Sequence, residues 1–170
     1  FYCSGTSVTL NATVNNAPVG NPTYTWTYSG NTISPNPGSS YTIPANQSGT
    51  YAVTLDYGGG CTLTDDVLVG FLPIPTITSS QCITSGSTAN LSVNFNPALP
   101  SGVSATYFWT GPNSFTSSSA NPTISSFNAS KAGTYNVTVS FNPTSGPPCE
   151  YTLSTILNLT PTTPSFSIPA

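Results

Sequence analysis

The chain repeats itself, and that constrains its fold more than any other feature. Cys3 is followed by Val8-Thr9-Leu10-Asn11-Ala12-Thr13-Val14, and Cys82 by Ala89-Asn90-Leu91-Ser92-Val93-Asn94-Phe95. Tyr24-Thr25-Trp26 returns as Tyr107-Phe108-Trp109. Gly49-Thr50-Tyr51-Ala52-Val53 returns as Gly133-Thr134-Tyr135-Asn136-Val137. Cys61-Thr62-Leu63 returns as Cys149-Glu150-Tyr151-Thr152-Leu153. Landmarks kept in one order at a period of roughly 80 to 90 residues mark a tandem array of one structural unit. The expected division is repeat 1 at 1–72, repeat 2 at 73–161, and 162–170 as a linker or the first strand of a following repeat.

Each unit reads as short strands. Val8, Leu10, Ala12 and Val14 alternate with polar residues, as do Tyr51, Val53 and Leu55, and Tyr135, Val137, Val139 and Phe141. Period-two alternation bounded by Gly, Pro, Asn and Ser signals half-buried strands. With 17 Pro and 14 Gly, the chain leaves no room for a long helix. Several strands in so short a unit predict an all-β fold of two tandem antiparallel sandwiches.

The four cysteines fall two per repeat, at equivalent places. A zinc site wants clustered ligands, and His is absent. The expectation is therefore one disulfide per repeat, Cys3–Cys61 and Cys82–Cys149. Disulfides persist in oxidising compartments, which predicts an extracellular or cell-surface location.

The Gly-Thr-Tyr-x-Val segments at Gly49 and Gly133 resemble the strand-F signature of immunoglobulin-like and PKD-like domains. The resemblance implies that Tyr51 and Tyr135 form corner bonds to backbone and that Trp26 and Trp109 pack in the cores. One departure is plain. Antibody-type domains carry cysteines on strands B and F, where this chain has Leu10 and Val53, or Leu91 and Val137. Here the cysteines precede strand B and open strand G. In such a sandwich the first strand runs parallel to the last, which would set Cys3 beside Cys61. Cysteine-framed, Thr- and Asn-rich repeats also resemble those of large secreted surface proteins of Bacteroidota, which serve as adhesins, gliding-motility filaments and enzyme-linked spacers.

Charge excludes several functions. Charged residues make up 3% of the chain, and Lys131 is its one basic side chain. Nucleic-acid binding and attraction to anionic lipid both need Lys and Arg. No apolar run is long enough to insert into a membrane. Without His, a Ser-His-Asp arrangement cannot form. Asp65 and Asp66 are adjacent on a strand and point to opposite faces, unlike a glycosidase pair. With Asp56 they could offer oxygens to calcium, but no EF-hand spacing exists. No catalytic residue, cofactor or metal is therefore expected. Six Asn-x-Ser/Thr sequons, at Asn11, Asn46, Asn90, Asn128, Asn136 and Asn158, arise readily in a chain of this composition.

Two functional readings stand. The first is a structural or adhesive segment of a surface stalk or filament, with neighbouring like repeats as partners. The second is an accessory module recognising surface glycans, for which Tyr28, Tyr57, Phe115 and Phe127 are the candidate aromatics. The link Gly70-Phe71-Leu72-Pro73-Ile74-Pro75 should be short and stiff, with Phe71, Leu72 and Ile74 packed between domains. A strand, Pro75-Thr76-Ile77-Thr78, precedes Cys82, whereas only Phe1 and Tyr2 precede Cys3. Pro164-Ser165-Phe166-Ser167 matches that strand, which suggests one period of a longer head-to-tail array.

Overall fold

The computed structural model describes residues 1–15, 20–143 and 148–161. The tail segment from 162 onward lies outside the described residues. The described residues divide into two units, one within Phe1–Pro73, the other made of 74–143 and 148–161.

The first unit contains β1 (Val8–Asn11), β2 (Thr23–Tyr28), β3 (Asn31–Thr32), β4 (Ser40–Ile43), β5 (Gly49–Asp56) and β6 (Thr62–Val69). They form two sheets, β1-β4 and β3-β2-β5-β6, with antiparallel pairing throughout. The β2–β3 hairpin closes on Ser29 and Gly30, at φ 47° and 83°. Left-handed residues at both turn positions match the right-handed twist of the strands they join. Alternation sends Tyr51, Val53 and Leu55 of β5 inward. Tyr51 packs with Val8, Ile43, Val69 and Phe71, while Val53 and Leu55 pack with Trp26.

The second unit contains β7 (Pro75–Ser79), β8 (Cys82–Ile83), β9 (Ala89–Phe95), β10 (Val103–Gly111), β11 (Phe115–Ser117), β12 (Thr123–Ile124), a 3-10 turn at Ala129–Lys131, β13 (Gly133–Pro143) and β14 (Cys149–Leu159). Its sheets are β12-β9-β7 and β11-β10-β13-β14-β8. Among the described residues of this unit only the β14–β8 pairing is parallel. Leu91, Val93 and Ile124 from one sheet and Trp109, Val137 and Val139 from the other are buried.

The two units share one frame. The pairing Val8↔Ile43 corresponds to Ala89↔Ile124, Trp26↔Val53 to Trp109↔Val137, and Leu55↔Leu63 to Val139↔Tyr151. The all-β, antiparallel immunoglobulin-like sandwich expected from the repeats is the observed fold. Phe71, expected between domains, instead belongs to the first unit's own core, and Ile74 is half exposed.

The disulfide assignment is corrected. Cys3 and Cys149 are the disulfide-bonded cysteines, and Cys61 and Cys82 are free and exposed. The parallel pairing inferred for the first and last strands is present, at Tyr2↔Phe71 and Cys82↔Asn158. It joins the wrong end of the last strand for the expected bridges. Phe71 lies ten residues past Cys61, and Asn158 nine past Cys149. At about 3.3 Å per residue each intended pair is ~30 Å apart, against the 4–7 Å between Cα atoms that a disulfide spans. Two thiols per chain should therefore react with a thiol reagent without denaturant, and four after reduction. A native chain with no reactive thiol would contradict this assignment.

Candidate functional site

The residues singled out in the sequence are mostly spent on structure. The Trp26 indole N–H donates to the Gly38 carbonyl at 2.8 Å, and that of Trp109 to Ser119 at 2.9 Å. The Tyr51 hydroxyl donates to Gln47 O at 2.9 Å, and the Tyr135 hydroxyl to Lys131 O at 2.8 Å. In both cases the acceptor lies four residues upstream, the geometry of a tyrosine corner. Burial pushes the Tyr51 phenol up to about 12, with the Tyr28 and Tyr41 phenols adding to the rise. Burial also raises Tyr135 and Tyr107.

A raised folded-state value favours the protonated phenol in the folded chain. That contribution is complete below the unfolded value near 10 and is lost as pH climbs through 12. The first unit should lose about 2 kcal/mol across this window. Tyrosinate absorbance should then rise together with unfolding. Ionisation of every tyrosine near pH 10 in a folded chain would contradict it.

The candidate sugar-contacting aromatics form no platform. Phe127 is buried, Tyr57 packs against the Trp26 cluster, Tyr28 lies 5.0 Å from the Tyr51 ring, and Phe115 meets the Tyr135 ring edge-on at 5.3 Å. The aromatic the sequence reading missed is Phe108, 58% exposed on the outer face of β10. Alternation carried the signal, since Phe108 lies between the inward Tyr107 and Trp109.

The carboxylates are dispersed. Asp56 accepts from the Gly58 N–H at 2.7 Å, Asp65 accepts from the Asp66 N–H at 3.0 Å, and Asp66 turns to the opposite face of β6. Among the described residues no group of three metal-ligating side chains occurs, and no helix is long and apolar enough to cross a membrane. All six sequon asparagines are exposed.

A concavity lies in the first unit, between β1 and β6. It is a cleft of about 300 Å³, walled on one side by Asn11–Asn15 and on the other by Val53, Leu55, Leu63 and Asp65. Leu63 and Val67 of β6 are 46% and 44% exposed. In the second unit the matching space is occupied by β7, which pairs with β9 and places the Ser79 hydroxyl 2.8 Å from Thr155 of β14. The β14 counterparts of Leu63, Asp65 and Val67 are Tyr151, Leu153 and Thr155, all half-buried. Among the described residues nothing plays the part of β7 in the first unit.

No protein-family model matches the chain, and no curated protein matches it. Solved structures with a similar arrangement include the amphioxus IgVJ-C2 molecule, at 16% identity over 92% of this chain and 98% of that one, TM-score 0.43. A two-domain fibronectin type III segment from chicken tenascin is similar at 15% identity over 89% of this chain and 94% of that one, TM-score 0.37.

Proposed function

We propose that the chain is a structural or adhesive repeat segment of an extracellular stalk or filament, in which it packs end to end with like repeats. The observation that carries this reading is the use of the same frame twice, with each unit's Trp and corner Tyr committed to its own core. What faces solvent is chiefly Thr, Ser and Asn, with one basic side chain in the whole sequence. Such a surface exerts little long-range field and suits a spacer. The disulfide-bonded Cys3 and Cys149 fit an oxidising, extracellular setting. The resemblance to repeats of Bacteroidota surface proteins points the same way, toward adhesins and gliding-motility filaments.

The exposed Phe108, flanked on its outer face by Thr106 and Thr110, favours one second reading, a glycan-binding accessory module. Screening the full chain and Phe108→Ala on a glycan array separates the two. The structural reading expects no selective signal from either. Selective binding lost in Phe108→Ala would replace it with the glycan-binding reading.

A further inference from the structure

The second unit carries a hollow of about 180 Å³ beside its tyrosine corner, walled by Pro112, Phe115, Ile124 and the Tyr135 ring. Ile124 and Tyr135 are buried and Phe115 is half-buried, so its walls are apolar. Lys131, the chain's one basic side chain, also lines it. The ammonium donates to the Ser125 carbonyl at 2.8 Å. An ammonium has three donors, so that bond leaves others for an acceptor brought in from outside. Among the described residues no carboxylate lines the hollow. The corner itself does not need the cation. In the first unit Gln47, a neutral residue, takes the place of Lys131 and accepts the Tyr51 hydroxyl through the same backbone carbonyl.

A side chain that suits this hollow stands on the first unit. Leu68 of β6 is 77% exposed, more than any other large apolar side chain among the described residues. It pairs with Thr50 and lies on the outer face of its sheet. Its counterpart Ile156, paired with Thr134, is 55% exposed. An outward aliphatic side chain here is therefore a property of the shared frame. What differs is the neighbour two residues earlier on the same face, Asp66 beside Leu68 and Ser154 beside Ile156. At about 3.3 Å per residue, Asp66 stands ~7 Å from Leu68 along the strand. Leu68 and Asp66 thus join an aliphatic knob to a carboxylate, as the hollow joins apolar walls to an ammonium. A hollow of about 180 Å³ holds roughly six waters, and the isobutyl group of a leucine fits it.

We propose that Leu68 of one copy of the chain enters this hollow on a second copy, with Asp66 meeting Lys131. Desolvation of the leucine supplies most of the affinity. The rim ion pair adds little to it but selects the knob, since Ile156 brings no carboxylate. Knob and hollow lie on different units, so the contact is heterologous and builds rings or linear filaments. The inference rests on the stalk reading and names its joint. The two fail separately, since a stalk joined by covalent linkage alone needs no such contact.

The test uses the full chain with Cys61 and Cys82 alkylated, so that thiol exchange contributes nothing. In sedimentation velocity, wild type should associate as concentration rises. Leu68→Ser should weaken association about ten-fold or more, whereas Ile156→Ser should leave it unchanged. Asp66→Lys and Lys131→Glu should each associate about five-fold more weakly alone. An equimolar mixture of those two should recover toward wild type, because the reversed charges meet across the contact. Recovery also shows that both variants fold. Wild type that stays monomeric at every concentration overturns the proposal. So does association that Leu68→Ser leaves intact, that Ile156→Ser weakens equally, or that the charge-reversed mixture fails to recover.

Discussion

Trp26→Ala and Trp109→Ala should each lower the stability of their own unit by about 3–5 kcal/mol, the cost of truncating a large buried aromatic. Both indoles are at most 3% exposed. Each also holds a loop, through its bond to Gly38 or Ser119, so truncation leaves a cavity and an unpaired carbonyl together. Thermal unfolding followed by domain-resolved amide exchange should show the loss confined to the mutated unit. Mutants that melt like wild type would mean these indoles carry no core load.

Gly111→Ala should destabilise the second unit by about 1–3 kcal/mol, as over-packing does. A Cβ there would lie 2.4 Å from Cδ1 of the Tyr135 ring. That ring cannot readily yield. Its hydroxyl is tied to Lys131, its flank is held edge-on by Phe115, and it is fully buried. In the first unit the equivalent of Gly111 is Tyr28, whose ring packs on Tyr51. The two units thus solve the same corner with different partners. Equilibrium denaturation of Gly111→Ala and wild type measures the difference, and an unchanged midpoint would contradict it.

The sandwich was legible because period-two alternation and repeated landmarks both report the backbone directly. Tyr51, Val53 and Leu55 could only share a face if they lay on a strand, and Gly133-Thr134-Tyr135 said so a second time. The cysteine pairing was not legible. Repetition shows that Cys3 and Cys82 are alike, but not which end of the last strand each one reaches. That depends on where the parallel bridge falls, and Tyr2↔Phe71 sets it at the end away from Cys61. Phe108 was overlooked because only its alternating neighbours were weighed, as core residues, although the same alternation turns Phe108 outward. The cleft's walls were not legible, because alternation groups Leu63 and Val67 on one face of a strand but does not report how far that face is covered.

Residue-resolved amide exchange at Leu10 and Ala12, compared with Leu91 and Val93, tests the central claim of a shared frame most directly. The Ala12 N–H donates to Ser39 and Leu10 faces Tyr41 in the same β1–β4 register, as Val93 donates to Ala120 and Leu91 to Pro122. With Cys61 and Cys82 alkylated, all four N–H groups should exchange slowly and alike. Fast exchange at Leu10 and Ala12 beside protected Leu91 and Val93 would contradict the account.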